Sequence, residues 1–319
     1  MSTYTVVHID SRGQAHPREE AELAKADAAL VSASAKTPEE MIEAAREADG
    51  ILSSWQPVGG EVFTACPSVK VIVRYGIGFD NIDLQAATDN EVVVCNITDY
   101  CIDEVATHAV SMVLALNRKL VLHNNAARNG ERQPLPPSGK LRGETIGLVG
   151  FGNIARAAAV RAQAFGLKVV ACDPYIAEGE ATEQGVELVS LTELLSGSDY
   201  VSVHTPLNDE TRGLIGAEEL ALMKPSAYLV TTCRGGVVDE RALYEALKEE
   251  RIAGAGVDVW DPEPVQQDHP LLEFENVIAT PHSAYYSDES VLLLQSRVGE
   301  AAADVLRGYL PRNVVNRQV

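Results

Sequence analysis

The sequence has few cysteines, and their spacing does not suggest pairing. They show no C-x-x-C motif and no repeated interval, and they lie at Cys66, Cys95, Cys101, Cys172 and Cys233. Disulfide-stabilised domains and structural zinc sites both depend on characteristic cysteine spacings. The sequence therefore predicts a protein of a reducing compartment, the cytoplasm, with no metal site.

Long apolar runs and an excess of basic residues are also lacking. No apolar stretch approaches the length that spans a membrane, and the opening MSTYTVVHID has neither the basic nor the apolar region of a secretory signal. The 26 Lys and Arg are outnumbered by 46 Asp and Glu, which gives a net charge of −20 at pH 7. Nucleic acids and anionic membranes attract basic surfaces, so we expect neither as a partner.

The chain does have a regular alternation of short apolar runs and helix-length segments. Its 319 residues, 46% hydrophobic and 23% charged, are enough for two globular cores. The alternation predicts parallel strands connected by helices, as in an α/β fold. Strands are expected at residues 4–9, 28–31, 51–52, 69–73 and 92–94, and again at 146–149, 169–171, 200–203, 227–231, 253–257 and 277–279.

Two helix starts carry capping signals. Thr37 precedes Pro38 and Glu40, which predicts an N-cap, a proline at the first helical position and a capping box. Ser190 and Glu193 have the spacing of a second capping box.

Three longer segments have a defined character. Apolar residues at helical spacing predict one helix over residues 102–122, which we expect to bridge two domains. The polar, proline-rich stretch 123–142 lacks periodicity and predicts an arm or linker that packs on a second subunit. Residues 288–309 predict one final helix that returns to the first domain.

Residues 144–175 carry the clearest functional pattern. An apolar run enters the sequence GFGNIA at residues 150–155, an alanine-rich segment follows, and a second apolar run ends in an acid. These are the parts of a dinucleotide-binding βαβ unit. Gly150 permits a tight turn, Gly152 lets the backbone approach a pyrophosphate, and Ala155 keeps helix and strand close. The helix N-terminus offers N–H groups and a positive dipole end to the phosphates.

The acid is Asp173, at the distance of about 20 residues that this unit requires. Its carboxylate is expected to accept hydrogen bonds from the adenosine ribose hydroxyls, and no Arg or Lys follows within residues 174–180 to receive a 2′-phosphate. The pattern predicts NAD rather than NADP. A glycine turn alone would be weak evidence, but its agreement with the strands, helix and acid favours a dinucleotide site over an ordinary turn.

Polar side chains at predicted strand ends could carry chemistry. Arg234 precedes two glycines that let a substrate come close, and its guanidinium can bind a carboxylate at two positions; a structural ion pair is the alternative. His282 could exchange a proton with a carbonyl or alcohol, or be a buried, satisfied histidine. Glu263, between two prolines, could orient His282 and favour its imidazolium, or be a surface acid. Asp258 could accept from a nicotinamide carboxamide or cap a turn.

A second glycine turn lies in the first part of the chain. Its backbone N–H groups could bind a substrate carboxylate, unless the turn serves only the fold. The residues concerned are Arg74, Tyr75, Gly76, Ile77 and Gly78. Aromatic residues could add walls for a bulkier or aromatic substrate, although packing explains any one of them equally well: Trp55, Tyr75, Tyr100 and Tyr285.

Together these motifs resemble the D-isomer-specific 2-hydroxyacid dehydrogenase family, and within it the branch of C-terminal-binding protein. The resemblance covers nearly the whole chain, and the motifs are specific in combination. They are RYGIGFDNID at 74–83, DEVATHAV at 103–110, RGETIGLVGFGNIA at 142–155, CDPY at 172–175, CRGGVVDE at 233–240, GVDVWDPEP at 256–264 and TPHSAYYSDES at 280–290.

The resemblance implies two Rossmann- or flavodoxin-like domains with parallel sheets, separated by a cleft. Residues 1–101 and 288–319 would form a discontinuous, flavodoxin-like substrate domain. Residues 102–287 would form an NAD-binding Rossmann domain, with a dimerisation helix and arm at 102–142. The partners it implies are a small 2-oxo or 2-hydroxy acid and a second copy of the chain.

The resemblance also implies a set of site residues. As hydride moves from NADH to the carbonyl carbon, protonated His282 would supply the proton, with Arg234 on the substrate carboxylate and Glu263 aiming the imidazolium. The substrate-binding residues would be Arg74, Tyr75, Gly76, Ile77, Gly78 and Tyr285. The cofactor-binding residues would be Gly150, Phe151, Gly152, Asn153, Ile154, Asp173, His204, Thr205, Pro206, Thr232, Cys233 and Asp258.

Some positions depart from the family pattern. Ala155 replaces the third glycine of the turn, Cys233 stands where Ala or Ser is more common, and Tyr285 stands where C-terminal-binding protein has Trp. An alternative from another functional class is an NAD(H)-sensing interaction protein, like the corepressors that keep this fold. Formate or phosphite oxidation is less favoured, because the long N-terminal extension and the Gln-Pro context of formate enzymes are absent.

Overall fold

The computed structural model describes residues 3–11, 16–132, 136–177, 181, 183–317 and 319. The predictions for residues 133–135 of the arm and for residues 178–180 lie outside these residues. The chain divides into two compact units. Unit 1 comprises residues 1–101 and 287–319, and unit 2 comprises residues 102–286.

Unit 1 is organised around a parallel sheet. Before the chain enters unit 2 its elements are β1 (Tyr4–His8), α1 (Pro17–Leu23), a 3₁₀ turn (Ala24–Ala26), β2 (Ala28–Ser32), α2 (Pro38–Ala45), β3 (Gly50–Ser53), α3 (Gly60–Ala65), β4 (Val71–Arg74), α4 (Leu84–Asp89) and β5 (Val93–Cys95). Among the described residues the strand order is β2-β1-β3-β4-β5, and neighbouring strands pair in parallel. Every residue of β3 and β4 is buried, as expected for a sheet covered on both faces.

Unit 2 has a larger parallel sheet. Its described elements are α5 (Ile102–Asn117), α6 (Leu120–Arg128), β6 (Thr145–Val149), α7 (Asn153–Ala164), β7 (Lys168–Cys172), β8 (Glu187–Leu188), α8 (Leu191–Gly197), β9 (Tyr200–Val203), α9 (Ala217–Leu222), β10 (Tyr228–Thr231), α10 (Glu240–Lys248), β11 (Gly254–Val257), a 3₁₀ turn (Pro270–Glu273) and β12 (Val277–Ala279). The strand order is β12-β11-β10-β9-β6-β7-β8. The chain runs outward from β6 through β7 and β8, then continues from β9 on the opposite side of β6. The switch point between β6 and β9 is where open α/β sheets bind ligands.

The predicted α/β class with two parallel sheets is confirmed, and the capping signals are confirmed with one change. The Thr37 hydroxyl accepts the Glu40 amide at 3.4 Å at the start of α2. Glu40 Oε2, however, accepts the Lys36 amide at 2.7 Å, so the second bond of the predicted capping box goes one residue further back. The box of Ser190 and Glu193 is complete.

The prediction of one helix over residues 102–122 is wrong. α5 ends at Asn117 and α6 begins at Leu120, with a bend of 61° between them. Lys119 at the joint has φ +51°, a left-handed conformation that a continuous helix cannot contain. The following stretch, predicted as an irregular arm from residue 123, is helical as far as Arg128. Apolar residues continue through the bend, so their spacing alone does not mark the break between the two helices.

The last helix, α11 (Asp288–Leu306), belongs to unit 1 and ends three residues before the predicted boundary. Gly308 follows with φ +84°, and the Tyr309 amide donates to Asp304 O at 2.9 Å, as at other glycine-terminated helices. Beyond it, the Asn316 side chain accepts from Val94 N in β5 and donates to Val92 O just before that strand, each at 2.8 Å. This pairing satisfies the outer edge of the sheet.

Among the described residues, no single helix is both long and apolar enough to cross a membrane. The bent pair α5 and α6 meets the length and composition test when the two helices are taken together.

Candidate active site

The turn after β6 approaches the end of β9 closely. Gly150 has φ +89°, and a Cβ at this position would lie 3.1 Å from both His204 C and Thr205 Cγ2. Any side chain would therefore add a contact to a backbone conformation that already favours glycine. The turn brings the glycine sequence and the His204-Thr205-Pro206 segment together at the switch point.

The next part of the turn faces open space. Gly152 is the N-cap of α7, and a Cβ on it would meet no described atom within 4 Å. Two residues into the helix, Ala155 is completely buried, which keeps α7 against the sheet. The arrangement leaves the amides of the first helical turn accessible to an anionic ligand.

Asp173 follows β7 and fixes the glycine turn. Its Oδ2 accepts the Phe151 amide at 2.8 Å, and its Oδ1 accepts the Tyr175 amide at 2.9 Å. Each carboxylate oxygen can accept more than one bond, so the predicted contacts with the ribose hydroxyls are compatible with these amides. Binding of the ribose by Asp173 stays a prediction.

Two hydroxyl groups at neighbouring strand ends lack partners. Thr205 Oγ1 follows β9 and Thr232 Oγ1 follows β10; each is buried and has no hydrogen-bond partner among the described residues. Buried polar groups are normally satisfied, so unpaired hydroxyls at a sheet's carboxyl edge suit a polar ligand. With Gly152 and the α7 N-terminus, they fit the dinucleotide that the sequence predicts.

His204 lies beside these hydroxyls as a neutral group. Burial lowers its pKa from 6.5 to about 4. Its Nε2 lies 2.9 Å from the Ser202 hydroxyl. The ring therefore adds no positive charge near neutral pH, and its predicted contribution to cofactor binding would be through hydrogen bonding and shape.

Glu263 and His282 are brought together. Glu263 Oε2 lies 2.7 Å from His282 Nδ1, and the Trp260 amide donates to Glu263 Oε1 at 3.1 Å. Burial would raise the pKa of Glu263, but the hydrogen bond and charge of His282, the Trp260 amide and the Arg234 charge outweigh it and lower the pKa. The carboxylate is therefore ionised at neutral pH and can stabilise an imidazolium.

The His282 backbone is held in an uncommon conformation by Asp258. His282 has φ +52°, and its amide donates to Asp258 O at 2.7 Å. The Asp258 carboxylate is completely buried and accepts from Ser283 N at 2.9 Å, Ala284 N at 3.0 Å and the Thr280 hydroxyl. Asp258 thus builds the turn that presents His282, which is the turn-capping role considered from sequence. Contact with a carboxamide stays a prediction.

Arg234 lies on a loop packed against the Glu263 loop. A Cβ on the next residue, Gly235, would overlap the backbone of Trp260. Arg234 Nη1 donates to Cys233 O at 2.8 Å, and the positive charge of Arg234 contributes to the lowered pKa of Glu263. Burial raises the pKa of the Cys233 thiol, so at neutral pH it is protonated and a weak nucleophile.

The turn predicted to bind substrate in unit 1 is shaped by Arg74. Its guanidinium donates to Tyr75 O, and a Cβ on Gly76 would overlap it, in keeping with the φ of +133° at that glycine. The Asn96 amide group donates to Ile77 O at 2.7 Å. Carboxylate binding by the Ile77 and Gly78 amides stays a prediction.

The four aromatic candidates have different environments. Tyr75 stacks on His8 with ring centroids 4.7 Å apart, and its hydroxyl donates a hydrogen bond to Glu19 Oε1 at 2.8 Å. Its side chain is therefore bonded within unit 1. Tyr100 is 8% exposed and Trp55 is 45% exposed. The Tyr285 ring meets the His282 ring edge to face at 6.1 Å.

One prominent polar feature of unit 1 was missed from sequence. Asp10, just after β1, accepts the amides of Ser54, Trp55 and Gln56 at 2.7–3.1 Å. Burial would raise its pKa, but hydrogen bonds from His8 and these amides lower it. The available signal was an acid directly after a predicted strand. Its partners lie 44–46 residues away, where local pattern gives no information.

Comparisons with known proteins identify the family of the chain. Residues 110–284 match the model of the D-isomer specific 2-hydroxyacid dehydrogenase NAD binding domain. A glyoxylate reductase of Korarchaeum cryptofilum is 40% identical over 285 residues, covering 88% of this chain and 86% of that protein. A D-3-phosphoglycerate dehydrogenase of Methanocaldococcus jannaschii is 40% identical over 283 residues, covering 88% of this chain. This chain spans only 54% of that second relative.

Solved structures show the same architecture. A glyoxylate reductase from Paecilomyes thermophila matches with a TM-score of 0.90 and 28% identity, covering 100% of both chains. A D-lactate dehydrogenase from Aquifex aeolicus, complexed with NAD and lactic acid, matches with a TM-score of 0.88 and 28% identity, covering 98% of this chain and 99% of that one. This chain therefore belongs to the D-isomer-specific 2-hydroxyacid dehydrogenase family, and it is an NAD-binding oxidoreductase that acts on CH–OH groups.

Proposed function

We propose that the protein reduces a small 2-oxo acid with NADH, with His282 as the general acid. The observation that carries the proposal is the 2.7 Å approach of Glu263 Oε2 to His282 Nδ1 within the NAD-binding unit. An ionised carboxylate on Nδ1 orients the ring and leaves proton exchange with the substrate to Nε2. The bound cofactor supplies the hydride.

The other proposed roles follow from charge. As hydride is added to the carbonyl carbon, negative charge grows on its oxygen, and the His282 imidazolium donates its proton there. Arg234 binds the substrate carboxylate. In the reverse direction, neutral His282 takes the hydroxyl proton.

The proposed substrate carries no phosphate. The amides of residues 54–56 form a group that could bind an anion, but Asp10 occupies it with its own carboxylate. A phosphate near Trp55 would meet this negative charge instead of three donors. The glyoxylate reductase name of a relative matched over most of its length supports an acid of glyoxylate size.

The test is NADH consumption with glyoxylate, hydroxypyruvate, pyruvate and phenylpyruvate, with NADPH as the cofactor control. We expect turnover of the smaller acids, a loss of at least about 100-fold in kcat for His282→Ala, and a loss of about 10- to 100-fold for Glu263→Gln with unchanged NADH affinity. Oxidation of D-3-phosphoglycerate should be far slower than oxidation of glycolate. Efficient use of the phosphorylated acid would contradict the substrate proposal.

If the chain instead functions like C-terminal-binding protein, the branch proposed from the motifs, the NADH-consumption test should give a different result. Tight NADH binding with no turnover of any acid in the panel would favour the NAD(H)-sensing alternative. The relatives at 40% identity carry enzyme names, which supports catalysis.

A cytoplasmic homodimer is the assembly we propose. Leu120 and Val121, at the start of α6, are 55% and 40% exposed. Val121 also lines a cavity of about 410 Å³, together with the apolar residues Leu116, Leu122 and Ile278. Burial of such a surface against a second copy would be favourable. Sedimentation of the wild type and of Leu120→Glu tests this, with a dimer expected only for the wild type.

A further inference from the structure

A second acid–histidine pair lies behind the loop that carries Glu263. Glu240, the first residue of α10, places Oε2 3.0 Å from His269 Nε2, and both side chains are 18% exposed. His269 Nδ1 accepts the Leu271 amide at 3.3 Å, so Nε2 carries the proton that it donates to Glu240. Both ring nitrogens of His269 are therefore engaged, and the ring has a fixed orientation.

The other oxygen of Glu240 holds the loop itself. Oε1 accepts the Asp261 amide at 2.9 Å, while the adjacent amide of Trp260 donates to Glu263 Oε1 at 3.1 Å. Two consecutive amides are thus bound by two different glutamates. A displacement of the Asp261 amide would also move the Trp260 amide. The Glu263 carboxylate, which accepts the Trp260 amide and contacts His282, would move with it.

Trp260 connects the Glu240–His269 pair to the Glu263–His282 pair. Its indole meets the His269 ring edge to face, with centroids 5.1 Å apart, and is 4% exposed. Its Nε1 donates to Thr280 O at 2.9 Å, two residues before His282. His269 therefore supports a side chain that is bonded to the segments carrying Glu263 and His282.

The surroundings make the Glu240 carboxylate important for this support. Glu240, Asp261 and His269 line a cavity of about 890 Å³, together with the charged residues Asp268 and Arg241. Without the Glu240 side chain, water in this cavity would replace it as the acceptor of the Asp261 amide. Mobile water holds the amide less firmly than a charged acceptor in a fixed position.

We propose that Glu240 and His269 are positioning residues, which hold the loop at Trp260 and Asp261 so that Glu263 meets His282 in the orientation needed for proton transfer. This inference rests on the proposed reduction of 2-oxo acids by His282. Neither residue is assigned a contact with substrate or cofactor. Their effect should therefore pass through the Glu263–His282 pair.

The test compares Glu240→Ala, Glu240→Gln and the control Glu245→Ala in the full-length protein. Glu245 is an exposed acid on the same helix and lines the same cavity. We expect Glu240→Ala to lower kcat by about 10-fold or more, with unchanged NADH affinity, because small displacements of reacting groups are costly. Glu240→Gln keeps an acceptor for Asp261 but presents its NH2 group to His269 Nε2–H, so it should recover only part of the rate. Glu245→Ala should match the wild type.

Two further measurements separate positioning from a general structural role. In Glu240→Ala the alkaline limb of kcat/KM should move to lower pH, because a displaced Glu263 stabilises the imidazolium less. The double variant Glu240→Ala, Glu263→Gln should lose little more than Glu263→Gln alone, since residues that act through one another are not additive. Full multiplication of the two losses, or a Glu240→Ala variant as active as the control, would overturn the inference.

A readout that does not need turnover keeps this inference separate from the proposed function. In proton NMR, the Glu263–His282 hydrogen bond should give a low-field signal that is identified by its loss in Glu263→Gln. We expect the signal to shift or broaden in Glu240→Ala and to remain in Glu245→Ala. If the wild type turns over no acid, an unchanged signal in Glu240→Ala would still refute the inference, and a changed signal would support the positioning geometry.

Discussion

The carboxyl ends of the strands are satisfied in different ways in the two units. In unit 1, Asp10 fills the group of amides at residues 54–56 with its own carboxylate. In unit 2, the buried hydroxyls of Thr205 and Thr232 have no partner among the described residues, and Gly152 faces open space. Unpaired buried polar groups are costly unless a ligand completes them. The edge in unit 2 therefore has polar groups available to bind a polar cofactor. In unit 1, the amides of residues 54–56 are already bonded to the Asp10 carboxylate.

The largest expected effect comes from filling the turn at the unit 2 edge. Gly150→Ala must adopt φ near +89° and place its Cβ 3.1 Å from His204 C. We expect a loss of about 2–4 kcal/mol in the free energy of unfolding, and at least about a 10-fold loss in NADH affinity measured by fluorescence titration.

Gly143→Ala is the matched control for this change. Gly143 has φ +90°, but a Cβ there would meet no described atom within 4 Å. It should lose only the conformational part, about 1 kcal/mol, and keep its NADH affinity. Equal losses for the two variants would show that the contact between the β6 turn and the end of β9 does not matter.

The next effect concerns the closed edge of unit 1. Asp10→Ala leaves three amides without their charged acceptor, so we expect a loss of about 2–3 kcal/mol in stability and faster hydrogen exchange at residues 54–56. Asp49 is the control, because among the described residues its carboxylate accepts the Thr5 amide and a Lys70 bond and no others; Asp49→Ala should lose about 1 kcal/mol. Unchanged exchange at residues 54–56 would mean that Asp10 does not hold this loop.

The two edges also differ in how far they could be predicted from sequence. The β6 turn, α7 and Asp173 lie within one stretch of about 30 residues, whose spacing follows from βαβ geometry. The Asp10 contacts join segments 44–46 residues apart, and the Glu240–His269 pair is 29 residues apart. Their partners depend on how the loops fold over the sheet, which apolar periodicity does not encode.

A similar reason explains the error at α5 and α6. Apolar spacing continued from residue 102 to 122, so the pattern favoured one helix. The break depends on a single left-handed residue, Lys119. Unlike glycine, lysine does not indicate a left-handed conformation in the sequence. By contrast, the end of α11 was marked by Gly308, and the predicted boundary at residue 309 passed over that signal.

The smallest expected effect is the pH dependence that His204 gives to the unit 2 edge. Its pKa is lowered from 6.5 to about 4 by burial, so the unfolded chain binds a proton more readily than the folded protein between these values. Folding stability should therefore decrease as pH falls from about 6.5 to about 4, by about 2 kcal/mol for a group that is only partly buried. His204→Gln cannot titrate and should lack this component, while Glu263 and the other acids contribute alike in both proteins. Urea unfolding at several pH values would measure the difference between the two curves. Parallel curves would show that burial does not keep the His204 ring neutral. The proposed difference between a neutral group at the edge of unit 2 and the ionised Asp10 in unit 1 would then be wrong.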